Sequence, residues 1–222
     1  MNIALLTTSY FPESNGASIR TDGLARGISA HGNKPFIFVA GKEFRKERYP
    51  YCTVYRIPLR QSFLAAFLER LTKYNYARFR AFRTYVFPIL KKEKISILHT
   101  RQPLDLFRVG YEARQLFGLP WVTEAHKLLS QTDYEQGRIT KRKFQRLLKT
   151  EVDLINLSDL VVTMTPSGVA TLKRFGVQKP ILPVANASAI NDDKRLWYPF
   201  HFEKWKKYIL YAGNIRDVES VD

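Results

Sequence analysis

Few side chains in this sequence stand where their types and spacing could do chemistry, and those few sit at the ends of short apolar runs. The run at residues 120–125 (PWVTEA) delivers Glu124 and then His126, and the run at 96–100 (SILHT) delivers His99 and then Arg101. If both are parallel strands, a carboxylate, two imidazoles and a guanidinium share one sheet edge, a set suited to hydrogen-bonding a polar ligand. The apolar run 2–8 (NIALLTT) leads to that same edge through residues 9–18 (SYFPESNGAS). There Gly16 would let the backbone approach a ligand, the loop amides open a helix N-terminus suited to an anion, and Arg20, one turn on, could pair with an acidic group. Each has an ordinary reading beside the functional one. The loop could be a plain turn with an incidental glycine, His99 could simply fill the sheet edge, and a lone histidine at a strand end is usually a polar residue with no ligand. Asn186, after the run 180–185, has a turn role and a ligand role open to it. Glu151, inside a helical stretch, reads by default as solvated or salt-bridged.

The motifs that would announce other chemistries are missing. The dinucleotide fingerprint G-x-G-x-x-G does not occur, nor does H-E-x-x-H or any other metal-ligand spacing, and neither paired carboxylates nor a Ser–His–Asp arrangement stands out. One cysteine, Cys52, excludes an intrachain disulfide framework and a multi-cysteine zinc site, which fits a reducing cytoplasm. Lys and Arg number 36 against 20 Asp and Glu, a net +16, so an anionic partner is expected: nucleic acid, membrane phospholipid or phosphorylated small molecules. Hydrophobic residues make up 45% of the chain, enough for the core of a large α/β domain. The first residues enter a strand directly and no uncharged run is long enough to span a bilayer, so the expectation is a soluble or peripheral protein.

The elements that must position these groups alternate regularly. Strands are expected at 2–8, 35–40, 53–59, 96–100, 120–125, 159–165 and 180–185. Helices are expected at 19–31, with Ser18 as cap and Gly32 as stop, and at 63–87, 105–117, 138–157 and 167–175. Pro88 should end or kink the 63–87 helix near Phe87. Residues 41–51 and 127–137 read as polar loops. Such alternation predicts an α/β, Rossmann-like three-layer sandwich with a mostly parallel sheet over residues 1–186. Residues 187–206 read as a linker, and 207–222, opening with KYILYAG, as the first strand and loop of a second domain.

Five stretches in this order resemble the family 4 glycosyltransferases of the two-Rossmann, or GT-B, type. They are residues 10–20 (YFPESNGASIR) with LARGISAHG downstream, 97–103 (ILHTRQP), 123–126 (TEAH), 158–176 (SDLVVTMTPSGVATLKRFG) with Glu151 ahead of it, and 181–187 (ILPVANA) before YILYAGNI. The resemblance covers roughly the whole chain and implies the N-terminal half of a GT-B fold. In that family the N-terminal domain holds the acceptor and the C-terminal domain a nucleotide-sugar, with transfer in the cleft between them and retention of anomeric configuration. It implies that His126 hydrogen-bonds the transferred sugar and serves as the catalytic residue, with Gly16, Arg20, His99, Arg101, Glu124 and Asn186 binding substrate. No metal or cofactor is expected, the nucleotide-sugar being a substrate. The chain departs from the pattern at AGNIRDVESVD, where Asn214 stands in place of a common Arg and Glu219 in place of a common Lys. The basic pair and paired glutamates of a donor domain cannot be assigned.

The expected function is therefore the acceptor-binding part of a hexosyltransferase-type enzyme acting on a saccharide or lipid-linked acceptor, as in polysaccharide and cell-envelope biosynthesis. The chain alone is expected to be inactive without a donor domain, which could be a separate chain. The competing function is a non-catalytic Rossmann module whose basic surface binds anionic membrane or nucleic acid; with no recognition motif, nucleic acid is the weaker of those two. The 63–87 pattern places Leu64, Phe67, Leu68, Leu71, Phe79, Phe82 and Val86 on one side and Arg70, Lys73, Arg80 and Arg83 on the other. Cations also crowd residues 138–149. The expectation is cytoplasmic, peripheral attachment at the inner face of a membrane, with Arg70, Lys73, Arg80 and Arg83 against the headgroups.

Overall fold

Strand β1 (Asn2–Leu6) buries Ala4, Leu5 and Leu6 and stands near the middle of an eight-stranded sheet. The computed structural model describes residues 1–13, 15–59 and 75–185, which fall in the first of the chain's two units, Met1–Ser188. Outside the described residues lie Arg70, Lys73 and Asn186, together with the first part of the helix expected at 63–87, the linker expected at 187–206 and the second-domain start expected at 207–222.

The other strands are β2 (Lys34–Gly41), β3 (Arg45–Arg48), β4 (Thr53–Pro58), β5 (Ile97–Arg101), β6 (Trp121–Glu124), β7 (Leu160–Thr163) and β8 (Ile181–Pro183). Their order is β3-β4-β2-β1-β5-β6-β7-β8, all parallel except β3, which runs antiparallel to β4. From β1 the chain winds outward one way to β2 and returns to wind the other way from β5, so β1 and β5 flank a switch point. In such sheets the crevice for ligands opens at the carboxyl ends of those strands.

Among the described residues the helices are α1 (Gly16–Ala30), α2 (Tyr76–Lys92), α3 (Leu104–Phe117), α4 (Leu129–Glu135), α5 (Lys141–Ile155) and α6 (Pro166–Arg174). Alternating side chains of each strand face opposite layers. Leu5, Ile37, Val39 and Val54 meet Leu24, Ala25 and Ile28 of α1 on one face. On the other face Ala4, Leu6, Phe38 and Leu98 belong to a core shared with Phe82 and Val86 of α2, Phe107 and Val109 of α3, Ile155 of α5 and Leu172 of α6. This is the expected three-layer α/β sandwich. At Gly110 the α3 backbone lies so close to the sheet that a Cβ would stand 2.5 Å from Trp121 Cε2 and 2.9 Å from Thr100 Cγ2.

Four local expectations are corrected. Helix α1 begins at Gly16 with Asn15 as cap, its side chain accepting the amides of Ala17 (2.9 Å) and Ser18 (3.0 Å); Ser18 lies inside the helix. Helix α2 does not end near Phe87 but runs through Pro88 to Lys92. Pro88 and Thr84, whose carbonyl loses its helical donor there, are both exposed, so water can serve that carbonyl. The 41–51 stretch holds the edge strand β3, whose sequence RKER hides it from any apolar pattern although charge is common on sheet edges. Likewise 127–137 contains α4, too short and polar to show a helical period.

Candidate active site at the switch point

The site is organised by one buried carboxylate. Glu124 ends β6 with no exposed surface. Its Oε1 lies 2.5 Å from His126 Nε2, 2.8 Å from Arg20 Nε and 3.5 Å from Arg101 Nε, while Oε2 lies 3.4 Å from His99 Nε2. Burial on its own would push the carboxyl pKa up; hydrogen bonds from His126, His99 and Arg20 outweigh it and hold the group well below the usual carboxylate range. Glu124 is therefore an anion at any physiological pH.

The partners come from three places: α1, β5 and the turn after β6. Arg20 reaches in from the second turn of α1, is 4% exposed, and also donates from Nη1 to the Ala185 carbonyl after β8 (3.3 Å). His99 and Arg101 project from β5 on the same face of the sheet as Glu124, since Arg101 is registered with Glu124 and His99 with Val122. Arg101 also donates to the carbonyl of Ala17 at 3.1 Å, tying β5 to the first turn of α1; burial lowers its pKa, although Glu124 opposes the shift. With Nε2 engaged by Glu124, His126 keeps Nδ1 as its other hydrogen-bonding atom. A neutral ring donating from Nε2 accepts at Nδ1, as from a hydroxyl.

The residues after β1 are braced from several directions. Ser9 Oγ meets Ser18 Oγ at 2.8 Å and Glu13 Oε2 at 2.9 Å, and receives Asn15 Nδ2 at 2.7 Å. Tyr10 is buried and donates to Asp22 Oδ1 at 2.8 Å, a carboxylate that also holds Tyr51 (2.5 Å) and Arg26 (2.7 Å). Arg56 on β4, anchored by Glu47 at 2.7 Å, donates to the Phe11 carbonyl at 2.5 Å. Gly16 opens α1 beside this scaffold, and a Cβ there would meet nothing within 4 Å. The helix amides expected to greet an anion are partly taken by Asn15, so positive charge at this edge rests on Arg20 and Arg101.

The structure thus brings Arg20, His99, Arg101, Glu124 and His126 into one cluster. A cavity of about 420 Å³ opens beside it, lined by Arg20, Gly23, Leu24, Gly27, Val184 and Ala185. A larger concavity of about 650 Å³ lies between α2, α3 and α5, but its lining is chiefly apolar and Arg108 and Glu112 there pair with each other. Among the described residues no group of three or more His, Cys, Asp or Glu could hold a metal ion. What the sequence did not disclose is that Arg20 and His99 converge on Glu124, and that Glu151 is neither solvated nor salt-bridged but buried against backbone amides.

Comparison with known proteins decides the family. The model of Glycosyltransferase Family 4 matches residues 14–187, most of the chain. The chain belongs to glycosyltransferase family 4. No curated protein matches it. Among solved structures, part of a sucrose-phosphate synthase from Thermosynechococcus elongatus is 18% identical with a TM-score of 0.55, covering 86% of this chain and 91% of that one. UGT71G1 of Medicago truncatula, complexed with UDP-glucose, is 11% identical with a TM-score of 0.57, covering 83% of this chain and 51% of that one. The UDP-GlcNAc 2-epimerase of Methanocaldococcus jannaschii is 13% identical with a TM-score of 0.53, covering 84% and 46%. This family 4 chain spans about half the length of the last two. At such identities the likeness shows the Rossmann-like GT-B fold alone; that an epimerase stands among the neighbours makes the same point.

Proposed function

We propose that this domain forms the acceptor side of a transferase moving a hexose from a nucleotide-sugar to a saccharide or lipid-linked acceptor, with retention of configuration. The observation that carries the reading is the Glu124-centred cluster at the switch point of a family 4 domain. It orients His126 so that Nδ1 can hydrogen-bond a sugar hydroxyl, beside a Gly16 whose open Cβ position leaves room for a ligand. Arg101 adds positive charge and His99 a hydrogen-bonding ring, suited to the phosphates of a donor held by a second domain, and no metal is required of this half. In enzyme reconstituted with a donor domain, His126→Ala should lower turnover roughly ten- to a thousandfold, the scale of one positioned polar contact in a transition state. Unchanged turnover would remove His126 from the site.

A second reading, peripheral attachment to an anionic membrane on the cytoplasmic side, is favoured by the outer face of α5, where Lys141, Arg142 and Arg146 are exposed. Arg80 on α2 is exposed as well, whereas Arg83 pairs with Glu112 at 2.9 Å. Among the described residues no helix is long and apolar enough to cross a membrane. Each surface cation near anionic lipid contributes about 1 kcal/mol. Binding to anionic liposomes should weaken in high salt and with Arg80, Arg142 and Arg146 changed to Glu; equal binding to neutral liposomes would count against it.

A further inference from the structure

A second buried glutamate stands outside the Glu124 cluster. Glu151 lies on α5 rather than at a strand end, and is 1% exposed. Its partners are all neutral donors. Oε1 accepts the amide of Leu129 at 2.9 Å, and Oε2 accepts the amide of Ser130 at 3.2 Å and its hydroxyl at 2.8 Å. Gln102 Nε2 stands 3.5 Å from Oε1 and also donates to the carbonyl of Lys127. The backbone amide of Gln102 in turn donates to the carbonyl of Glu124 at 3.2 Å.

We propose that Glu151 is a positioning residue for His126, clamping the turn after β6 so that the imidazole stays on Glu124. The inference rests on the reading of His126 as the ligand-facing group. Residues 124 to 130 leave the sheet and enter α4 within two short steps; the Ala125 amide bonds to the Val162 carbonyl at 2.9 Å and Leu128 is buried in the core, while the polar groups around them need partners of their own. Glu151 pins the far end of the turn through Leu129 and Ser130, while Gln102 pins its middle at Lys127 and its near end at Glu124. His126 lies between those fixed points.

The chemistry of the group fits this task. An ionised carboxylate is purely an acceptor with about four lone-pair sites, which matches the donors directed at it. A glutamine would place its own NH₂ against one of them, and an alanine would orphan two amides at the start of α4. Burial also raises the Glu151 pKa despite those hydrogen bonds, so the carboxylate is a costly way to fill a core position. A leucine or methionine would pack there without that cost and could not hold the turn.

The test uses the 222-residue chain and the reconstituted enzyme together. In the isolated chain, Glu151→Gln should raise amide exchange at Leu129 and Ser130 about tenfold or more and displace the ring ¹⁵N resonances of His126. The His99 ring, held from β5 on the other oxygen of Glu124, is the internal control and should keep its resonances. Ser130→Ala, which removes only the hydroxyl donor, should displace His126 in the same direction by less, and it serves if the Gln variant does not fold. In reconstituted enzyme Glu151→Gln should lower kcat about tenfold with donor KM unchanged, and add nothing further when His126 is already Ala. His126 resonances unmoved in both variants, or losses that multiply in the double mutant, would overturn the proposal. Because the resonance arm needs no turnover, displaced His126 signals alongside a fully active His126→Ala would uphold the positioning role while removing the catalytic one.

Discussion

Arg20 on α1 and Glu124 at the end of β6 form a buried ion pair of 2.8 Å across 104 positions of sequence, with side chains 4% and 0% exposed. It crosses from the only helix on its face of the sheet, among the described residues, to the strand that carries the site, so one contact both staples α1 and gives the buried carboxylate a countercharge.

Breaking a buried pair by removing one partner leaves the other charge uncompensated. Arg20→Ala should therefore cost about 3–5 kcal/mol, read as a lower midpoint in urea unfolding. Arg101 and the two histidines still face Glu124, so the lower end of that range is expected. A variant as stable as the parent would show that these neighbours compensate fully.

The two buried glutamates should respond to pH in opposite senses. The folded pKa of Glu124 is depressed, so its contribution is full above the unfolded value of about 4.3 and is lost as pH falls below it toward the folded pKa. The folded pKa of Glu151 is raised, so its charge costs stability as pH climbs from about 4.3 through the folded pKa. Measured by urea unfolding from pH 3 to 7 (values on the order of the carboxylate range), parent and Glu124→Gln should converge on acidification, whereas Glu151→Gln should lose ground to the parent. Parallel curves for all three would contradict both assignments.

Gly16 separates a ligand-approach role from a plain turn. No atom lies within 4 Å of a Cβ built there, so Gly16→Ala should fold with no loss of stability and gain a few tenths of a kcal/mol in helix propensity, up to about 1 kcal/mol. Turnover of the reconstituted enzyme should nevertheless fall, about tenfold if the added methyl meets substrate. Full activity with full stability would leave Gly16 as a turn residue.

Strand and helix existence could be read from the sequence wherever an apolar run or stripe faces the core, as at residues 35–40 and 105–117. It failed where charge replaces that signal, at β3 with its RKER, and where an element is too short for a period, at α4. The start of α1 cannot be read locally, because Ser18 and Asn15 are both good caps and only the fold selects Asn15. Strand-end position alone puts His99, Arg101, Glu124 and His126 at one sheet edge. That Glu124 is their common partner was not legible, because partner choice depends on how distant strands come into register. Glu151 is illegible for a related reason: a helical carboxylate is usually wet, and only the packing of α5 against α4 buries this one.

The span between Arg20 and Glu124 also orders events during synthesis. At about 5–20 residues per second, Glu124 follows Arg20 out of the ribosome by roughly 5–20 s. In that interval β1, β2 and α1 can already associate, since the residues of the core on the α1 face all precede β5. Arg20 must wait, hydrated, with its guanidinium over a sheet edge that β5 and β6 have yet to occupy. The nascent chain therefore carries an open, cationic half-site well before it owns the carboxylate that closes it.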